Sequence, residues 1–257
     1  MDNPSLLARI DLVEILLYLF FIFFAALILY LLREGRREGF PIEDDLTGRL
    51  ESLPVLDIGS RKEFILPHGG GSLFKPDRTR DTQPFNARRT APWDGSPYAP
   101  LGDPLADGIG PAAWANRADV PDQMHDGSPK IVPLRAAPQF AVTKEDRDPR
   151  GFTVKGYDGK VAGTVEDLWV DRMESLVRYI EVRLADGSRT VLLPMMMSEI
   201  NGTTGTVTTD SITAAQFAGA PATKLPESIT FLEEEKVAGY FGGGYLYATP
   251  ERSDPLA

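Results

Sequence analysis

The sequence predicts a single N-terminal transmembrane α-helix carrying a mainly-β cytoplasmic domain, a small antiparallel barrel, with a long irregular segment between them and short C-terminal helices. Three observations carry that prediction. Ile15 to Leu32, ILLYLFFIFFAALILYLL, is an uncharged run of 18 residues, long enough as a helix to cross ~30 Å of hydrocarbon. Between Pro41 and Pro138 stand 14 of the 21 prolines, and neither a helical nor a strand period persists there. After Pro138, short β-rich runs alternate with turn signals.

The apolar run is extended by Leu12 and Val13 around the single Glu14. A signal peptide would need a positive leading region, a shorter run and a small-residue cleavage site, and all three are missing. A buried soluble helix would be apolar on one face, not all round. Arg33, Arg36 and Arg37 bunch at the helix exit, so the positive-inside rule places residues 1–11 in the periplasm, the helix at 12–32 and the rest in the cytoplasm. Tyr30, like Tyr18, falls near an interface, where amphipathic rings are favoured.

Residues 33–138 read as an extended irregular segment. Its Phe64, Phe74, Phe85, Trp93, Tyr98 and Trp114 argue against disorder and for a chain laid over partner surfaces. GDPLADGIGPAAW (102–114) reads as turns. A β domain follows over 139–210. Its strands are expected at 152–154, 161–170, 177–184, 190–193 and 206–208, divided by YDGK, ADGS and NGTTG. Ile180, Val182 and Leu184 alternate with Tyr179, Glu181 and Arg183, predicting one buried face and one wet face. Over 211–257 the sequence predicts a short helix from Ser211 to Phe217 capped by Ser211. A second helix then starts at Glu233, Glu234 and Glu235 and is stopped by Gly242, Gly243 and Gly244.

Composition narrows the function classes. A formal charge of -10 argues against nucleic acid. No cysteine is present, and only His68 and His125 supply imidazole. Thiolate chemistry and a His-rich metal site are excluded, and a Ser-His-Asp triad would have to use one of those two. No phosphate-binding or nucleophile-elbow motif stands between a strand and a helix. The one concentration of charge on a patterned element is LWVDRMESLVRYIEVRL (168–184), whose turn region carries Asp171, Arg172, Glu174 and Arg178. On the residues alone this is a salt-bridged turn, worth little if exposed.

The segments YLLREGRREGFP (30–41), FILPHGGGSL (64–73), GDPLADGIGPAAW (102–114), KIVPLRAAPQF (130–140), DPRGFTV (148–154), AGTVEDLWVDRMESLVRYIEV (162–182), LLPM (192–195) and EEEKVAGYFGGGYLYATPER (233–252) occur in one order along nearly the whole chain. Together they resemble the H subunit of the photosynthetic reaction centre of purple bacteria, whose cytoplasmic part contains a PRC-barrel. The resemblance implies a subunit of the bacterial inner (intracytoplasmic) membrane that is not an enzyme and binds no pigment of its own. It implies that the chain caps the L and M subunits, stabilises the quinone region and helps conduct protons to the secondary quinone. Bacteriochlorophyll, bacteriopheophytin, quinones, non-haem iron and carotenoid are then expected in the partner subunits. A light-harvesting ring, a cytochrome subunit and membrane lipids around Arg33, Arg36 and Arg37 are further expected neighbours.

The same resemblance gives the charged hairpin a purpose. Glu174 matches the family glutamate closest to the proton route, and Asp171 and Arg178 match its charged neighbours. Burial raises a carboxylate pKa and an adjacent arginine lowers it, so coupled groups can share a proton over a broad pH range. Where well-studied members carry a histidine pair, this chain has PDQMHDGSPK (121–130), with His125 alone between Asp122 and Asp126, which puts proton collection there in doubt. Glu234 belongs either to the acidic network or, the preferred reading, to its helix N-terminus, and His68 reads as structural. The rival readings are a membrane-anchored PRC-barrel adaptor recruiting a soluble partner and a membrane-tethered hydrolase using His68 or His125.

Overall fold

The computed structural model describes residues 11–37, 59–76 and 83–253, with isolated positions between 42 and 49. Of the expected periplasmic segment 1–11, all but Asp11 lies outside the described residues, as does the end of the tail from 254. The chain divides into two compact units, residues 1–80 with 93–95, and residues 81–92 with 96–257.

In the first unit, α1 spans Leu12–Gly35 without a buried residue. It is long and apolar enough to cross a membrane, and with apolar side chains all round it has no wet face to offer water. A hairpin follows, with β1 (Lys62–Ile65) antiparallel to β2 (Ser72–Lys75).

The second unit holds the core. A small hairpin, β3 (Ala87–Arg89) with β4 (Tyr98–Pro100), leads into the one-turn α2 (Pro104–Asp107), capped by the Asp103 carboxylate accepting from Leu105 N–H. Then come β5 (Ile131–Pro133), β6 (Thr153–Lys155), β7 (Val161–Asp171), β8 (Leu176–Leu184), β9 (Thr190–Pro194), β10 (Glu199–Asn201) and β11 (Thr206–Thr208). Their pairing order is β10-β11-β6-β7-β8-β9, with β5 beside the end of β7. One pair departs from the expected antiparallel pattern. The β10–β11 hairpin brings β11 to the free edge of β6, where the two strands run parallel.

Trp169, Ile180, Val182, Leu193, Val207, Phe217 and Phe241 are almost wholly buried in one cluster, each worth about 1.5–3 kcal/mol for a large side chain removed from water. Leu105, Ala112, Val132 and Leu134 join it, so the irregular stretch is not wholly extended and its later part packs on its own unit. By contrast Phe64, Phe74, Phe85 and Trp93 are exposed.

Three local expectations are corrected. The predicted wet face of β8 is covered at Tyr179 and Glu181, both buried, because the 134–136 turn and the C-terminal helix lie over it. The short helix runs Ala214–Gly219, capped by Thr213 with Gln216; Ser211 is buried instead and donates to the Phe241 carbonyl. The final helix, α3 (Phe231–Tyr247), passes straight through its triple glycine. Those glycines permit close packing. A Cβ on Gly243 would sit 2.5 Å from Ala112 Cβ, and one on Gly244 would sit 2.5 Å from the Ser211 carbonyl oxygen.

Candidate functional site

The turn between β7 and β8 is built by Asp171. Its Oδ1 accepts from the N–H groups of Met173 (3.0 Å) and Glu174 (3.1 Å), and Ser175, at φ 56°, closes the turn in the left-handed region. The carboxylate is therefore buried, with its side chain 1% exposed, while Glu174 stands 46% exposed at the rim. Arg178 joins the two. Its Nη2 donates to Glu174 Oε2 at 2.6 Å and to Asp171 Oδ2 at 3.3 Å.

β5 adds the next member. Its register pairs Ile131 with Asp171, which sets Lys130 beside that carboxylate. Lys130 Nζ lies 3.4 Å from Asp171 Oδ2 and 3.3 Å from Asp122 Oδ2. The result is a continuous file, Glu174–Arg178–Asp171–Lys130–Asp122, exposed at Glu174, half-buried at Asp122 and buried at Asp171. Burial pushes the Asp171 carboxyl up, but the Glu174 and Met173 N–H groups, Lys130 and Arg178 outweigh it and hold it below the ordinary range. Burial likewise pushes the Lys130 ammonium down, and Asp122 and Asp171 reverse that. Lys130 was not singled out in the sequence; only the strand register shows its place.

The other expected residues divide. Glu234 is not the capping residue of α3. Glu233 takes that role, its Oε2 accepting from Thr230 N–H at 2.9 Å while Thr230 Oγ1 accepts from Glu233 N–H. Glu234 faces the barrel, where the Tyr179 hydroxyl donates to its Oε2 at 3.0 Å. Burial, with a smaller push from Asp122, raises the Glu234 carboxyl above its usual value although Tyr179, Arg117 and Arg178 oppose it. Burial and then Glu234 push the Tyr179 phenol up as well. Arg172 leaves the expected salt-bridged turn and reaches the 121–130 loop, donating to Ser128 Oγ at 2.6 Å and to the Pro129 carbonyl. Asp126 accepts from Ser128. His125 is exposed beside it, apart from the file that Asp122 begins. At the exit of α1, Arg37 pairs with Glu34 at 2.7 Å and donates to the Ser60 carbonyl. Arg36 caps the helix and Tyr30 is exposed upon it.

The raised Glu234 carboxyl has a stability consequence. The folded state holds this proton more tightly than the unfolded chain, so stability falls as pH rises from the ordinary carboxylate value through the raised one. Glu234→Gln is expected to flatten that fall, which begins near the ordinary carboxylate value and extends above it, and to change little below about pH 4. Denaturant midpoints measured across pH check this; an unaltered slope would show that Glu234 does not carry it.

A second charged cluster escaped the sequence reading. Asp167 and Glu181 face each other across β7 and β8 and are both buried. Like charges directly opposite are destabilising. Arg135 lies between them, its Nη1 donating to Glu181 Oε2 at 2.5 Å and to Asp167 Oδ2 at 3.2 Å, and its Nη2 to the Pro226 carbonyl at 2.7 Å. Trp169 Nε1 donates to Glu181 Oε2 at 3.0 Å. The available signal was two carboxylates in the interiors of predicted strands. Among the described residues no group of His, Asp and Glu is arranged to hold a metal ion.

The described residues combine one apolar helix long enough to cross a membrane with a mainly-β domain. Known families agree: the photosynthetic reaction centre H-chain N-terminal region matches residues 4–136, and the PRC-barrel domain matches residues 142–216. The chain belongs to the photosynthetic reaction centre H-subunit family. That family is a structural subunit rather than an enzyme, binds no pigment itself, and is part of a membrane-associated complex with the L and M subunits.

Proposed function

We propose that the chain caps the L and M subunits on the cytoplasmic side, stabilises the quinone region and delivers protons toward the secondary quinone. The observation that carries the proton role is the file Glu174–Arg178–Asp171–Lys130–Asp122. A quinone buried from bulk water needs two protons for two electrons, and they must reach it from the surface along polar groups and the water those groups order. The file alternates carboxylates with cations, and it meets water at exposed Glu174 and at half-buried Asp122. Glu234, against Tyr179, supplies a side branch whose proton affinity is raised where that of Asp171 is lowered. His125 and Asp126 serve at most as an outer antenna beside Asp122.

In this reading α1 spans the membrane with its N-terminus periplasmic, Arg33, Arg36 and Arg37 facing anionic lipid headgroups at the cytoplasmic interface beside Tyr30. Beyond the β1–β2 hairpin, the exposed Phe85 and Trp93 dock on L and M. Bacteriochlorophyll, bacteriopheophytin, quinones, non-haem iron and carotenoid reside in those partners, and a light-harvesting ring and a cytochrome subunit complete the assembly.

The test is Glu174→Gln in assembled reaction centres. Positioned proton donors are typically worth ~10²–10⁴ in rate; with neighbouring groups partly substituting, the second, proton-coupled electron transfer is expected to slow about tenfold. The first electron transfer and assembly should be unaltered. Normal kinetics across pH would reduce the hairpin to a salt-bridged turn. Before that, the near-infrared absorption of material co-purified with the chain decides the assembly: bands that bleach in light support it, and a colourless preparation favours the adaptor reading.

A further inference from the structure

We propose that the β1–β2 hairpin is a second membrane-contacting element, seated in the interfacial layer of a bilayer carrying anionic lipid. This rests on reading α1 as the membrane anchor. The hairpin is tied to the exit of that helix at its root. Lys62 Nζ lies 2.5 Å from Glu34 Oε2, and Arg37 donates to the Ser60 carbonyl. A strand of this length reaches only ~13 Å, so its tip cannot travel far from the plane in which the apolar helix ends.

What the hairpin presents along that reach is unusual for a protein surface in water. Phe64 and Leu73 pair on one face, while Ile65 and Phe74 stand on the other. All four are exposed, Ile65 at 84%. Leu66, at the start of the tip, is exposed too. A docked protein would cover one face of a two-stranded ribbon and leave the other wet, whereas a lipid interface surrounds both. The charge follows the same axis. Arg61, Lys62 and Lys75 stand at the root, with Glu63 opposite Phe74 and Glu34 paired to Lys62. Arg61 Cζ lies 5.3 Å from the Phe74 ring centroid, and Arg37 of the helix exit reaches the Ser60 carbonyl. Cations at phosphate level with aromatic and aliphatic side chains reaching deeper is the pattern that binds an interface, and the basic part gives it a preference for anionic headgroups.

The absence of cysteine makes the test direct. Ile65→Cys and, as a reference within α1, Phe23→Cys are each labelled with an environment-sensitive fluorophore in the full chain. The labelled chains are reconstituted into phosphatidylcholine vesicles with and without phosphatidylglycerol, alone and with the L and M subunits. The expected result at position 65 is blue-shifted emission, quenched by nitroxide-labelled lipid more than by a water-soluble nickel chelate. That quenching should be stronger with phosphatidylglycerol and weakened by Arg61→Gln with Lys75→Gln. Lipid quenching at 23 but not at 65 would overturn the proposal. Shielding at 65 that appears only with L and M, without lipid quenching, would overturn it in favour of a protein partner. Equal quenching in the two vesicle types would overturn the anionic-lipid part. Absence of lipid quenching at 23 would instead overturn the anchor reading itself.

Discussion

Arg135→Ala is expected to destabilise the β unit by about 3 kcal/mol. The substitution leaves Asp167 and Glu181 opposed across β7 and β8 with their main counter-charge gone, Arg150 Nη1 being 3.9 Å from Asp167. It also frees the Pro226 carbonyl. The figure sits at the bottom of the range for breaking a buried pair because the Arg135 side chain is 40% exposed and water can reach the vacated space. Chemical denaturation of the full chain in detergent measures it. The charge account makes a second demand: adding Asp167→Asn and Glu181→Gln to Arg135→Ala should restore part of the loss, since no uncompensated charge then remains. A triple variant no better than the single one would show that Arg135 acts through packing of its stem alone.

Gly244→Ala should be about as costly, and its neighbour should behave in the opposite way. A Cβ at 244 meets Ile212 Cγ2 and the Ser211 carbonyl oxygen, each at 2.5 Å, and both residues are fully buried. The helix or the 210–212 segment must move, which costs typically 1–3 kcal/mol and here the upper part of that range because a backbone atom cannot step aside. At Gly242 the nearest atom is the Pro111 carbonyl oxygen at 3.4 Å, an ordinary contact. Gly242→Ala is therefore expected to gain up to about 1 kcal/mol from helix propensity. Equal midpoint shifts for the two alanines would refute the view that these glycines serve packing rather than termination.

The glycine run shows where sequence reading stops. Glycine weakens a helix in isolation, so three in a row read as a stop. The burial that outweighs this propensity comes from residues 105–112 and 211–212, more than 30 positions or more than 100 positions away. Glu233 and Glu234 show the same limit. Both sit in the first helical turn, and only the rotation of α3 against β8 sends one to its own N-terminus and the other to Tyr179.

Properties that depend on local composition were determined by the sequence alone. The 18-residue apolar run gives a helix long and apolar enough to cross a membrane, a property set by its length and composition alone. Strands β6, β7, β8, β9 and β11 followed from alternation and turn residues, which act over a few positions, whereas β5 and the three-residue β10 did not. The charged turn at 171–178 was legible for the same reason, its Asp171 and Arg178 being neighbours along one hairpin. Tertiary structure alone decided which charges meet across the chain. Lys130 reaches Asp171 because β5 pairs with β7, and Arg135 separates Asp167 from Glu181 because the turn after β5 crosses the face that alternation had marked as wet. Those meetings depend on strand order and register, which are set by burial of the whole core and not by any pattern within one element.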